Sequence, residues 1–201
     1  YMGSYRVIDA LTTLGFDYPK RGQFFTAQLE EFFLLTREQQ QNPLEFKGSY
    51  AGAMGYGQFI PSSYRSFAVD YDGDKFADIW NNKHDAIASV ANYFKAHGWQ
   101  QGEPIAEPAA RQPTFPAKML NPRTRPKTSA TELAKLGFTP KARKAISKRP
   151  AIALQYDGKN GDEYWLGYNN FYVITRYNHS HMYALAVYQL SQEIAKAYAA
   201  Q

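Results

Sequence analysis

Apolar residues recur at helical spacing in three stretches of the chain. Between Arg21 and Arg37, Phe25, Leu29, Phe32 and Phe33 fall on one face. Pro19 stands just ahead, where a helix start tolerates proline. From Asp85 to His97 the pattern repeats with Ile87, Val90, Ala91 and Phe94, and Gly98 follows as a C-terminal stop. From Ser180 to Ala199 a third stripe runs through Tyr183, Val187, Leu190 and Ile194. Each stripe is expected to pack into a core, with the tyrosines kept aside as candidates for other work.

The pattern breaks between Gly102 and Pro126, where prolines crowd the chain and apolar pairs are few, which predicts an extended, irregular segment. "TSATELAKLGF" then reads as a short capped helix, with Thr128 or Ser129 as N-cap and Glu132 in the first turn. "AIALQY", "DGKNGDE" and "YWLGY" read as two strands joined by a turn. The expected fold class is α+β, mainly α. A helical core at 1–101 precedes a small β-rich insert at 102–163, and 164–201 returns to the core and ends in a helix.

Composition narrows the partners. Aromatic residues make up 16% of the chain, with 16 Tyr, which suits a cleft where flat rings stack on sugar faces as well as an aromatic core. The formal charge is +5, which favours an anionic partner: nucleic acid, a membrane surface or an acidic polymer. The cations gather between Arg111 and Arg149 and the aspartates between Asp70 and Asp85, and no nucleic-acid-binding module is recognisable. The chain has no cysteine, which excludes disulfides and thiolate metal sites. No apolar run is long enough to span a bilayer and no signal peptide is present. The opening "YMGSYRVIDAL" already looks structured, so a fragment of a longer protein is expected.

"VDYDGDKFADIWNNKHD" places carboxylates at alternate positions. With Asp70 as position 1 of an EF-hand-like loop, Asp72 and Asp74 fall at positions 3 and 5, and Phe76 offers its carbonyl at position 7. Lys75 at position 6 and Asn81 at position 12 depart from the pattern, whose residues there are glycine and glutamate. Asp85 could close the shell, and Asp78 could reach it through water. Carboxylates this close repel unless a cation or strong solvation intervenes. A structural calcium ion is therefore favoured over a merely solvated turn, and over zinc because every ligand is oxygen.

"KGSYAGAMGYGQFIPSSYRSFAVD" combines small residues with Ser49, Tyr50, Tyr56 and Gln58. It reads either as a tightly packed helix–loop junction or as the wall of a groove for a neutral, hydroxyl-rich ligand. This stretch, with "DIW", "DAIASVANYFKAHGW" and "YWLGYNNFYVITRYNHS", closely resembles the membrane-bound lytic murein transglycosylase B family. The resemblance covers essentially the whole chain and is weakest in the insert.

The resemblance implies a lysozyme-like helical core with an EF-hand-like calcium loop and a small β-rich insert. It implies cleavage of the β-1,4 bond between N-acetylmuramic acid and N-acetylglucosamine in peptidoglycan, leaving a 1,6-anhydromuramoyl end. One glutamate of raised pKa would act as acid and then as base, unlike the usual carboxylate pair. By the same resemblance Ser49, Tyr50, Gln58, Tyr93, Tyr177, Asn178 and Tyr183 line the glycan cleft, and Lys20 and Arg21 meet peptide or lactyl carboxylates. Asp70, Asp72, Asp74, the Phe76 carbonyl and Asp85 hold calcium, with no organic cofactor.

The family's catalytic glutamate lies in a G-x-E-T-x-x-G stretch just before "MGSYRVIDAL", so it is expected upstream of Tyr1. A chain without it would bind glycan without cutting it, and its C-terminal helix would lack part of its packing surface. Glu38 and Glu45 match no family motif and read as solvated carboxylates. The family further implies a periplasmic location in a Gram-negative cell. It also implies peptidoglycan synthases as partners, no nucleic acid, and contact with the outer membrane only through an N-terminal lipid anchor outside this chain. The alternatives are a non-catalytic peptidoglycan-binding module and, less favoured, a calcium sensor. The sensor reading lacks a paired EF-hand and a Met-rich groove.

Overall fold

The apolar spacing in the first hundred residues yields helices, and the alternating pattern after them yields a sheet. The two sets form separate units, Tyr1–Ala96 and His97–Gln201, in a computed structural model that describes residues 2–142 and 146–200.

Unit 1 contains β1 (Tyr5–Arg6), α1 (Val7–Phe16), α2 (Gly22–Glu38), β2 (Lys47–Gly48), α3 (Pro61–Phe67) and α4 (Lys83–Ala96). β1 and β2 pair antiparallel. Pro61 opens α3 at a position where its missing N–H costs no helical bond. Asn82 caps α4 by accepting from the His84 and Asp85 N–H groups at 3.0 and 3.4 Å. Val7, Leu11, Phe25, Phe32, Leu35, Met54, Phe59 and Ile79 form the apolar interior. The Phe46 ring packs edge-on to Phe32 and lies 4.6 Å from that of Trp80.

Unit 2 contains β3 (Ala106–Arg111), a 3-10 turn (Ala117–Met119), β4 (Thr128–Ser129), α5 (Ala130–Lys135), β5 (Phe138–Pro140), β6 (Pro150–Gly158), β7 (Gly161–Gly167), α6 (Asn169–Tyr177) and α7 (His181–Ala199). The strands form one antiparallel sheet in the order β4-β6-β7-β3-β5. β6 and β7 meet in a tight hairpin at Gly158 and Gly161, the latter at φ +110. Ala151, Ala153 and Leu166 pack with Phe115, Leu133 and Phe138 on one face of the sheet. Ile152 and Leu154 are buried as well, so β6 is covered on both faces and reads as a continuous apolar run. Ser129 and Glu132 form a complete capping box on α5.

Three expectations change. The insert boundary at 163 falls inside β7, because the ladder with β6 continues to Gly167. Two strands become five: Ala106–Arg111, too rich in Ala and Pro to read as a strand, adds to the β7 edge, the three-residue Phe138–Pro140 adds to β3 beyond it, and the two-residue Thr128–Ser129 adds to β6 on the other side. The stripes are only partly core. Phe25 and Phe32 are buried, but Phe33, Ile87, Leu190 and Ile194 are 47–69% exposed. In α7 the buried residues, Ala184 and Leu185, lie in the first turns, and the helix is exposed throughout its second half.

Candidate functional site

Unit 1 carries most of the expected site, in two neighbouring stretches of chain. The first runs from Gly48 to Phe59, where Met54 bridges to both Gly48 and Phe59. Its glycines are there for space: a Cβ on Gly48 would lie 2.3 Å from the Ala53 carbonyl, and one on Gly55 2.4 Å from the Ile79 carbonyl. The tight-junction reading therefore holds for the glycines. Ser49 shapes the turn, its Oγ accepting from the N–H groups of Ala51 and Ala53 at 3.2 and 3.1 Å.

That compact backbone presents polar and aromatic groups outward. Tyr50 is 73% exposed and Tyr56 50%. Gln58 is a non-glycine residue at φ +50, a backbone state that persists only where surrounding contacts impose it. Its Nε2 donates to the carbonyls of Gly55 and Met2 at 2.9 and 3.2 Å, which fixes the amide of this exposed residue. Tyr93 on α4 packs its ring near Phe59 and, edge-on, near Phe67, at 6.0 and 4.9 Å. Lys20 and Arg21 are exposed just before α2, and the Arg21 guanidinium lies 4.3 Å from the centroid of Phe24.

The second stretch is the aspartate loop. Oxygens of Asp70, Asp72 and Asp85 lie within 4.8 Å of one another. Asp85 is fully buried, and its two oxygens accept from the N–H groups of Tyr71 and Asp78 at 2.9 and 2.8 Å. Asp70 accepts from Gly73 and Lys75 at 2.7 and 2.8 Å. Desolvation pushes its carboxyl up, but the surrounding backbone donors, led by the Lys75 N–H, outweigh this and hold it below the usual range. Asp74 stands outside the group of three and accepts from the Phe76 N–H. The Phe76 carbonyl receives one hydrogen bond, from Asp78. The buried Tyr64 hydroxyl is shifted well upward, first by desolvation and then by the charges of Asp78, Asp85 and Asp70. The donor set is all oxygen, anionic and partly buried, and it fits a hard cation such as calcium.

Unit 2 holds the remaining expected residues. Tyr177 ends α6, and Asn178 follows, accepting from the Ser180 N–H at 3.1 Å. Ser180 caps α7 by accepting from the Tyr183 N–H, and burial raises the Tyr183 phenol. These contacts fix the turn between α6 and α7.

Two points escaped the sequence. A cavity of about 390 Å³ in unit 1 is lined by residues including Asn42, Glu45, Phe46, Trp80 and Asn81, and of the expected set Phe76 alone is in its lining. Only the aromatic content hinted at it. Glu38 forms an ion pair with Arg65, which also holds Glu31 at 2.6 Å. The Arg65 hydrogen bond lowers the Glu38 carboxyl, against a smaller desolvation effect. That is the reverse of what a general acid needs, and Glu45 is an exposed acceptor for Asn42.

Comparison with known proteins shows the family. Membrane-bound lytic murein transglycosylase B of Escherichia coli is 49% identical over 98% of this chain. Soluble lytic transglycosylase SltB1 of Pseudomonas aeruginosa superposes with a TM-score of 0.91 at 51% identity, over 98% of this chain and 65% of that one. The Escherichia coli lytic transglycosylase Slt35, solved in complex with calcium, gives a TM-score of 0.86 at 49% identity, over 98% and 61%. The chain spans 53% of the length of the first of these relatives. Residues 1–192 match the transglycosylase SLT domain, and the chain belongs to that family.

Proposed function

We propose that this chain is the glycan-positioning part of a lytic murein transglycosylase. It would act on the β-1,4 bond between N-acetylmuramic acid and N-acetylglucosamine in the periplasm. The observation that carries the reading is Gln58: its amide is held by two backbone carbonyls in a strained conformation, on the same short hairpin as the exposed Tyr50 and Tyr56. A fixed amide beside ring faces suits N-acetyl sugars, and fixed geometry supplies much of the rate in such reactions.

In the proposed reaction one carboxylic acid gives its proton to the glycosidic oxygen as the bond to C1 breaks. The resulting carboxylate takes the proton of the muramoyl 6-hydroxyl while that oxygen bonds to C1. The product is a 1,6-anhydro ring, and no water is consumed. In unit 1, Ser49, Tyr50, Gln58 and Tyr93 would orient the sugars and Lys20 and Arg21 would meet carboxylates. Tyr177, Asn178 and Tyr183 of unit 2 are glycan contacts by the resemblance. The lowered carboxyl of Glu38 argues against that residue as the acid.

Asp70, Asp72, Asp85, the Phe76 carbonyl and Asp74 would hold calcium, which would supply positive charge that fixes the loop. Asp85 already joins the loop to α4 through Tyr71 and Asp78. No helix among the described residues is long and apolar enough to cross a membrane. A lipid anchor and synthase partners are part of the same proposal and rest on the resemblance.

The test is a digest of purified peptidoglycan by the complete gene product, with ends read by mass spectrometry. 1,6-Anhydromuramoyl ends are expected. Reducing muramoyl ends would overturn the chemistry, and glycan binding without products would favour a non-catalytic peptidoglycan-binding module.

A further inference from the structure

Residues 111–149 contain eleven Lys and Arg and a single acidic residue, Glu132. Glu132 is engaged by Ser129 in the capping box, and Arg149 is paired with Glu103. The cations that remain are not scattered evenly. The Arg125 guanidinium lies 5.5 Å from the Tyr172 ring centroid, and that of Arg176 lies 5.6 Å from it. Arg125 also reaches the His97 carbonyl at 3.5 Å. Arg123 lies close enough to His181 for its charge to add to burial in lowering the imidazole.

Among the described residues, neither Arg123 nor Arg125 shares an ion pair with a carboxylate. Gathered like charges without a counter-ion raise the energy of the free protein and are relieved by a bound anion. Next to Arg125 a groove of about 250 Å³ is lined by Lys127, Thr124, Thr128, Leu133 and Ile152 among others. Its cations are exposed while Leu133 and Ile152 are buried. The groove thus joins a small apolar surface to two positive charges and two hydroxyls.

We propose that Arg123, Arg125 and Lys127 form a second binding surface, for the carboxylate-bearing peptide stems of peptidoglycan. The proposal rests on the murein reading above and adds to Lys20 and Arg21 a separate surface in unit 2 for the peptide stems. Guanidinium groups meet carboxylates in bidentate geometry, and small peptide side chains fit the apolar surface between the charges. A bilayer is the less suited partner. Interfacial membrane binding needs large apolar or aromatic side chains beside the cations. The described part of 111–149 exposes only Leu136 and Ile146 of that kind.

The complete gene product is tested with the double variant Arg123→Glu, Arg125→Glu. A control of equal charge change, Lys159→Glu with Lys196→Glu, uses exposed lysines outside the cluster. Three targets are used: intact peptidoglycan, glycan strands stripped of peptide by an amidase, and phosphatidylglycerol vesicles. The cluster variant is expected to bind intact peptidoglycan roughly tenfold more weakly than the control at low salt, with the difference shrinking as salt rises. It should cleave stripped strands at the wild-type rate, which also shows that it folds. Equal binding of intact peptidoglycan by variant and control overturns the proposal, as does a loss confined to the vesicles. If the wild type cleaves neither glycan target, the murein reading itself fails.

Discussion

The two units handle charge in opposite ways. Unit 1 has eleven Asp and Glu against nine Lys and Arg, while unit 2 has fourteen Lys and Arg against seven Asp and Glu. In unit 1 the acids at the loop are locked: Asp85 is fully buried and every oxygen of Asp70 and Asp85 has a backbone donor. In unit 2 the arginines of the cluster lean on a tyrosine ring and a carbonyl and stay exposed. Backbone donors hold carboxylates close together at fixed distances, as a metal site requires. The arginines of the cluster have no such fixed partners among the described residues and stay at the surface. The net charge of +5 hides this division.

The sharpest breaks of the comparison are in the interiors. Phe138→Ala removes a fully buried ring that contacts Phe115 and Tyr164 in unit 2. It should cost about 4 kcal/mol in urea unfolding. Asp85→Ala leaves the Tyr71 and Asp78 N–H groups without acceptors. It should cost about 3 kcal/mol and abolish any stabilisation by calcium. In the unaltered chain, calcium at a hundred times its dissociation constant should add about 2.7 kcal/mol, read as a rise in unfolding temperature. Asp70→Asn with Asp72→Asn should remove that rise, whereas the cluster variants of unit 2 should keep it.

The smallest effect is at the surface. The Glu38 carboxyl is lowered by Arg65, so its contribution is present above the unfolded pKa of about 4.5 and is lost as pH falls through the folded value. Glu38→Gln should flatten the stability profile slightly in that acid window. Added salt should shrink the difference, because the pair is partly exposed.

Local chemistry was the most readable part of the sequence. The capping box at Ser129 and Glu132, the stop at Gly98 and the gathering of Asp70, Asp72 and Asp85 follow from residues near one another in the chain. What could not be read depends on distant partners. "AEPAAR" has no strand signal of its own and becomes β3 because β7 offers an open edge. "NNFYVITRY" carries β-branched residues that suit a strand, yet it forms α6, with Phe171, Val173 and Ile174 buried. Leu190 and Ile194 sit at core spacing and are exposed, because periodicity reports a face and not what covers it. At the candidate site, the resemblance alone singles out Ser49 and Gln58. The strained backbone that gives Gln58 its orientation is visible only in three dimensions.

The most direct test of the positioning role is the initial rate of 1,6-anhydromuramoyl end formation by the complete gene product carrying Gln58→Asn. Asparagine tolerates the left-handed backbone and keeps the amide, but it withdraws that amide by one methylene. The account predicts a fall of about tenfold or more in kcat/KM with the protein still folded at the assay temperature. A wild-type rate would show that Gln58 does not place the sugar and would contradict the assignment of the glycan site to this hairpin.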